Sequence, residues 1–340
     1  MTTITKQPSL INEHAHYPSK QALSHFIQTF ETPKFRRAIR PGFLARTDGL
    51  PVDETIADLE ERAAADPQFA GLLSRMLSVS DLSPKLYDRF RDNPNSLYNW
   101  LPAVEKALDA GKTTLKSPKT KTWRLPIELA QFIRMEYSDT SKHDRDLFNQ
   151  LVFDQFDLED GKTYFIKTGT FSSKFQFANV KCSEPREMGE YFQVINNFAM
   201  MVGAGQSIDL VVREYIEDVE NNPTIYNGMP LRTEFRVFVD CDEDKIIGVV
   251  PYWHPIVMKR ALQSDMVDSI LPDLETYKLH EDKLTSEYNE YLAQVKHEVS
   301  SLLPNLELTG QYSIDVMKNG EDFYVIDLAL MKDSALKELI

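Results

Sequence analysis

The tightest constraint on this chain lies in its last thirty residues, where two apolar runs, Gln311 to Met317 and Phe323 to Leu328, flank Asn319-Gly320 and each carries one aspartate. Apolar runs of this length around Asn-Gly predict a β-hairpin. Asp315 stands in QYSIDVM and Asp327 in FYVIDLAL, positions that would otherwise simply be core. An ionised carboxylate in such surroundings is costly unless a cation or hydrogen bonds compensate it, and two close together raise each other's pKa. A divalent metal resolves both problems, since hard cations take carboxylate oxygens. A strict two-residue loop at Asn319-Gly320 pairs Asp315 with Tyr324 and turns Asp327 to the opposite face. A three-residue loop with a bulge at Gly320 pairs Asp315 with Val325 instead, and sets both carboxylates on one face as diagonal neighbours, roughly 7 Å apart or less between backbones. The expectation is therefore the bulged turn. Two unrelated acids at strand ends facing water is the competing reading.

A chain of 340 residues can bury a large core and by size holds two or three domains. No apolar run approaches the roughly 20 residues needed to span a bilayer. The opening MTTITKQPSLINEHAHY lacks the order of a signal peptide, so the chain reads as cytoplasmic. Cys182 and Cys241 are the only cysteines and have no metal-ligand spacing, which argues against a disulfide framework and a zinc ribbon. With 38 basic against 52 acidic residues the net charge is −14, which disfavours a large nucleic-acid footprint but leaves room for a local basic groove around a polyanion.

From about Pro18 to Ala110 the pattern is helical, in pieces such as KQALSHFIQTF, VDETIADLEERAA, FAGLLSRML, SPKLYDRF and SLYNWLPAVEKALDA, punctuated by prolines. The stretch Gly111 to Thr122 is basic and polar and reads as a linker or exposed loop. After Trp123 helix and strand mix. Helices are predicted at about 126–137, 143–156, 186–203 and 283–303, and strands near 163–167, 175–180, 209–216, 233–240, 246–252, 311–317 and 323–328. The fold class expected is α+β with largely antiparallel sheets over 121–340, preceded by a helical domain or extension over 1–120. GAGQ at 203–206 reads as a helix C-cap, and His14, His16 and His254 as solvent-exposed or packed side chains.

Three clusters can carry chemistry. In YFIKTGTFSSKFQFANV a strand ends at Lys167, a small-residue loop follows, and Lys174 opens the next strand. Two ammonium groups flanking such a loop suit a triphosphate, whose oxygens also accept from backbone amides and hydroxyls. The pattern is not a P-loop. In IDLVVREYIED charges enter at a strand end, at Arg213, Glu214, Tyr215, Ile216 and Glu217; Glu214 can accept from an exocyclic amine while Tyr215 or Ile216 offers main-chain contacts to a base. In TEFRVFVD, alternation projects Glu234 and Arg236 from one face. Arg236 offers a rigid fork to phosphate or carboxylate, and Glu234 can accept from a ribose hydroxyl or hold a lysine. Solvated lysines, an ion-paired strand end and a structural Glu/Arg pair are the bland alternatives.

Taken in order, the lysine hairpin, the REYIE strand, the EFR strand, a long helix and the two-aspartate hairpin resemble the ATP-grasp fold. The stretch GQYSIDVMKNGEDFYVIDLAL is similar to the metal-binding end of D-alanine:D-alanine ligases. A closer similarity is to the divergent ATP-grasp clade containing the eukaryotic cell-division-cycle assembly factor for translation initiation factor two. It is carried by Lys167, Ser172-Ser173-Lys174, Arg213, Glu234-Phe235-Arg236 and Asp327. One departure is Ala329, which stands where that clade usually has a metal-binding asparagine, leaving Asp333 or water to substitute.

The resemblance implies ATP bound between two antiparallel sheets, with Mg²⁺ on Asp315 and Asp327. Lys167 and Lys174 would hold the α- and β-phosphates and Arg236 the transferred phosphoryl, while Glu234 would take the ribose or a lysine. Arg213 would face the same cleft. It further implies a ligase that activates a carboxylate, of a small molecule, peptide or protein, as an acyl phosphate. The alternatives are an ATP-binding assembly or regulatory factor with little turnover, whose helical N-terminal part meets a protein partner, and a phosphoryl or nucleotidyl transferase.

Overall fold

The computed structural model describes residues 82–340 except 83, 136, 138–139, 203, 205–206 and 262–266. The helical pieces expected before residue 82, the two N-terminal histidines and most of GAGQ lie outside the described residues. Helix α1 (Pro84–Arg91) is followed by α2 (Leu97–Asp109), which buries Leu97, Trp100, Leu101 and Val104. That i, i+3, i+4, i+7 spacing gives one apolar stripe. Strand β1 (Thr120–Arg124) follows, then α3 (Ile127–Arg134), α4 (Lys142–Gln155), β2 (Tyr164–Thr168), β3 (Lys181–Cys182) and α5 (Met188–Val202). The second half carries β4 (Asp209–Glu214), the small pair β5 (Thr224–Ile225) and β6 (Met229–Pro230), then β7 (Glu234–Asp240), β8 (Lys245–Pro251), α6 (Pro255–Ala261) and the long α7 (Val267–Leu302). The hairpin β9 (Gln311–Asn319) and β10 (Asp322–Leu330) closes the series.

The strands make two four-stranded antiparallel sheets, β1-β4-β2-β3 and β10-β9-β7-β8, so the α+β reading holds. Each sheet buries one face under helices. In the first sheet Ile166, Leu210 and Val212 pack into the core beneath Leu129, Phe148 and Phe192 of α3, α4 and α5. In the second, Phe235, Val237, Ile314, Val316 and Val325 pack with Val295, Val299 and Leu302 of α7 and with the stripe of α2. Period-2 alternation sends the intervening residues to the other face. There Lys167 and Arg213 of the first sheet meet Arg236, Asp315 and Asp327 of the second.

Four expectations are corrected. The hairpin has a two-residue loop, Gly320-Glu321, between the paired Asn319 and Asp322; Gly320 has φ +61° and Glu321 does not have positive φ, the sign pattern of a II′ turn. The bulge lies at Ile326, between the Val325–Val316 and Asp327–Asp315 pairs, rather than at Gly320. Phe323, Val325 and Asp327 have the same parity, so an unbroken strand would aim Asp327 into the core. The extra residue reverses the parity, and Leu328 takes the core position while Asp327 comes to lie directly opposite Asp315.

The second correction concerns 175–180, where Phe175 and Phe177 alternate like a strand. Ser173 adopts left-handed φ of 50° and the chain curls into a 3₁₀ segment, Lys174–Asn179, burying Phe177 and leaving Phe175 exposed. The third concerns the predicted linker. Lys116 N donates to Phe323 O and Lys116 O accepts from Val325 N, both at 2.8 Å, along the outer edge of β10. Four residues later the same segment is β1, on the outer edge of β4. One short stretch thus joins the edges of both sheets. Fourth, α7 runs from Val267, well before the expected 283, and its 36 residues reach about 54 Å at 1.5 Å per residue.

Candidate functional site

Between the two sheets lies an open cleft. Its first-sheet wall is built from Phe165, Lys167 and Arg213, with Ser172, Lys174 and Phe177 from the loop after β2. Its second-sheet wall is Glu234, Asp315, Met317, Ile326 and Asp327. Pro118, Tyr215, Ile216, Met229 and Pro230 make an apolar end, and Arg232 and Tyr252 complete the lining. Nine of the ten site residues expected from sequence line this one space. Arg236 stands one step behind the wall, held by Asp315.

The aspartate pair is neutralised by protein cations. Arg236 donates from Nε and Nη2 to the two oxygens of Asp315, both at 2.8 Å, and from Nη1 to Ala335 O at 3.1 Å. Lys167 Nζ donates to Asp327 Oδ1 at 2.9 Å. Direct opposition of two carboxylates is unfavourable alone, and a bidentate Arg on one and a Lys on the other offset it. Burial would lift the Asp327 pKa, but Lys167 and Arg213 outweigh it and hold it below the ordinary range. Burial lowers Lys167 despite Asp327, and for Arg236 the pairing with Asp315 overrides burial and raises its pKa.

Arg213 is the least satisfied member. It is 4% exposed, and burial brings its pKa down to about 10 against the pull of Asp327. Nη1 donates to Ile326 O at 2.6 Å, taking the carbonyl that the bulge released from the ladder. Nε and Nη2 are buried with no hydrogen-bond partner among the described residues, as is Oε2 of Glu234, which lines the same cleft. Buried polar groups are normally paired, so such a cluster of orphans marks a place where a polar partner belongs. Glu234, 8% exposed, is pushed up to about 7 by burial; Asp315 adds to the rise and Lys174 opposes it.

The base-side residues sit less simply. The Glu214 carboxylate accepts from Lys119 N at 3.3 Å, on the face of β4 away from Arg213. Ile216 O accepts from Arg232 Nη2 at 2.7 Å, and Lys181 lies 4.2 Å from the centre of the Tyr215 ring. Phe165, Phe177, Arg232 and Tyr252 escaped the sequence reading. Phe177 lies in a segment whose alternation predicts a strand, and Tyr252 lies in YWHPIV, where nothing in the letters separates a cleft-lining ring from a packed one. His254 does not line the cleft.

No group of three or more His, Cys, Asp or Glu suited to a metal occurs among the described residues. Mg²⁺ does not require one, because it commonly takes one or two carboxylates and completes its shell with water and phosphate oxygens. Asp315 and Asp327, opposite each other on adjacent strands, fit that donor set. Ala329 offers no donor, and the Asp333 carboxylate is taken up by Asn95 Nδ2 at 2.8 Å.

No family model matches the chain, and no curated protein matches it. Solved structures similar to it include C-terminally truncated Cdc123 from Schizosaccharomyces pombe, at 15% identity and TM-score 0.41 over 72% of this chain and 87% of that one. D-alanine–D-alanine ligase from Bacillus anthracis complexed with ATP is similar at 12% identity and TM-score 0.27, over 67% of this chain and 51% of that one. The ATP-grasp ligase PsnB complexed with minimal precursor is similar at 11% and 0.27, over 79% and 64%. At such identities and scores the likeness carries no weight for function, which rests on the cleft's own residues.

Proposed function

We propose that the cleft binds ATP with Mg²⁺ in the manner of ATP-grasp proteins, and that the chain uses it to activate a carboxylate substrate as an acyl phosphate for attack by an amine. The observation that supports this most is the buried Arg213, whose Nε and Nη2 have no hydrogen-bond partner among the described residues and which lines the same cleft as Lys167, Asp315 and Asp327. Lys167, Lys174, Arg213 and Arg232 line the cleft together with Glu214, Glu234, Asp315 and Asp327, a balanced set that would suit a polyanion once a divalent cation offset the two aspartates.

In the proposed reaction a carboxylate oxygen attacks the γ-phosphorus, ADP leaves, and an amine then displaces phosphate from the acyl carbon. Positioning and charge neutralisation do most of the work in such a transfer. Mg²⁺ on Asp315 and Asp327 would supply charge neutralisation at the phosphates. Lys167 and Arg236 neutralise the aspartates in this structure, and both would be free to meet phosphate oxygens if a divalent cation took over the carboxylates. Lys167 and Arg213 would then hold the α-phosphate, Lys174 the β-phosphate and Arg236 the transferred group. The apolar end formed by Pro118, Tyr215, Ile216, Met229 and Pro230 would receive the base, with main-chain groups of 215–216 lining it. Glu234 takes the ribose or stays with Lys174.

A second reading, an ATP-binding assembly or regulatory factor with little turnover, is favoured by Ala329 together with the engagement of Asp333 by Asn95. Calorimetry with a non-hydrolysable ATP analogue tests both. The wild-type chain should bind it more tightly with Mg²⁺ than without, and Asp327→Asn should abolish that metal dependence. Equal binding by the two proteins in Mg²⁺ and in chelator refutes the assignment of the aspartates. Phosphate release that requires both an acid and an amine separates the ligase from the factor.

A further inference from the structure

Tyr252 follows β8 and stands where the two walls of the cleft meet. Its hydroxyl is hydrogen-bonded to Lys174 Nζ, from the loop of the first sheet. The same ammonium lies 3.7 Å from the centre of the Tyr252 ring and 5.0 Å from that of Trp253. The Arg236 guanidinium lies 4.6 Å from the Tyr252 ring centre, and Tyr252 N donates to Glu234 O at 2.9 Å. Trp253 meets the ring edge-on at 4.9 Å and is itself fixed, since its indole N–H donates to Arg232 O at 3.1 Å. One anchored ring therefore contacts a cation from each sheet.

An ammonium or guanidinium over an aromatic face is attracted by the ring quadrupole without being neutralised. That distinguishes Tyr252 from the aspartates, which hold their cations by taking their charge. Lys174 has a four-carbon stem with many rotamers; the hydroxyl and ring select one, with the charge left for another anion. The ring also links the loop carrying Lys174 to the strand carrying Glu234, so it aligns groups on opposite sides of the ligand.

We infer that Tyr252 is a positioning residue, which sets Lys174 and Arg236 toward the outer phosphates of the bound nucleotide and so lets the cleft prefer a triphosphate over a monophosphate. This rests on the nucleotide reading of the cleft. Tyr252 acts through the two cations, and its removal should weaken the ligands that reach them while sparing those that do not.

The test is calorimetric affinity of the full chain, in Mg²⁺, for AMP and for a non-hydrolysable ATP analogue. Tyr252→Leu should lose about tenfold in affinity for the triphosphate, the scale of a desolvated cation–π contact plus a charged hydrogen bond, with AMP affinity within about twofold of wild type on the same grounds. Tyr252→Phe, which keeps the ring, should fall between the two. If Tyr252→Leu does not give a cooperative melt, Tyr252→Met carries the same expectation. Equal losses for AMP and the analogue, or no loss in either, overturn the positioning role while leaving the nucleotide site standing. A wild-type chain that binds neither ligand removes the nucleotide reading and this inference with it.

Discussion

Replacing Glu234 by glutamine should stabilise the protein increasingly between pH 4.5 and 7 and most from neutral pH upward, with little effect near pH 4.5. Burial lifts the carboxyl from its ordinary 4.5 to about 7, so the folded chain keeps a proton that the unfolded chain has already lost. For a carboxyl raised in this way, stability is fully present below pH 4.5, falls as pH rises through 7, and levels off above it. At about 1.4 kcal/mol per pH unit, ionising Glu234 costs the fold roughly 3 kcal/mol by pH 8. Glutamine keeps the shape and cannot ionise, so the variant escapes that cost. Urea unfolding followed by tryptophan fluorescence at pH 5, 6, 7 and 8 should show the two proteins close together at the acid end and diverging upward. A stability difference constant across the series, or one that shrinks with rising pH, would refute the argument. The same series with saturating nucleotide should flatten for wild type if a ligand or its metal brings compensating charge to the cleft.

Arg213→Met should change stability by no more than about 1 kcal/mol, since replacing an incompletely paired buried cation with an apolar chain removes its desolvation cost along with one hydrogen bond. It should cut affinity for the ATP analogue by about tenfold or more, the worth of a charge-assisted contact; calorimetry and melting on one preparation check both halves. Asp327→Asn leaves the Lys167 ammonium, 2% exposed, without its partner and should cost about 1–3 kcal/mol in unfolding free energy, less than a fully buried pair because the Asp327 side chain is 39% exposed. Gly169→Ala would bring a Cβ within 2.2 Å of Ser96 Oγ and 2.6 Å of Ser207 Oγ. Ser96 cannot yield freely, because it donates to the buried Asp209 at 2.5 Å. A loss of about 1–3 kcal/mol in denaturant unfolding is expected from such overpacking.

The antiparallel architecture was legible because alternation survives in TEFRVFVD and QYSIDVM, whose core and cleft faces fall as period 2 dictates. The bulge at Ile326 was not, because one extra residue in a ladder leaves no mark in a string of apolar letters. Its effect is large all the same, since it alone brings Asp327 to the face of Asp315. Residues 175–180 misled for the converse reason: two phenylalanines at strand spacing are compatible with a curl that buries only one of them. The edge strand at 120–124 was missed because Thr120, Lys121 and Thr122 are only half-buried and so polar. Charges in apolar strands identified most of the cleft, whereas Tyr252 and Phe177 act through ring faces, and an aromatic in a sequence gives no sign of which side it will present.

The short run that binds first to the rim of β10 and then to the rim of β4 works like the spine of a book. Only Ser117 and Pro118 separate its two attachments, since Lys119 O already accepts from Glu214 N at 2.9 Å, and proline restricts the torsion available there. Along that margin the covers cannot part without breaking backbone hydrogen bonds. Any change in the gap must then be greatest at the far margin, toward β3 and β8, where no strand edge is shared and Lys174 leans across to Tyr252.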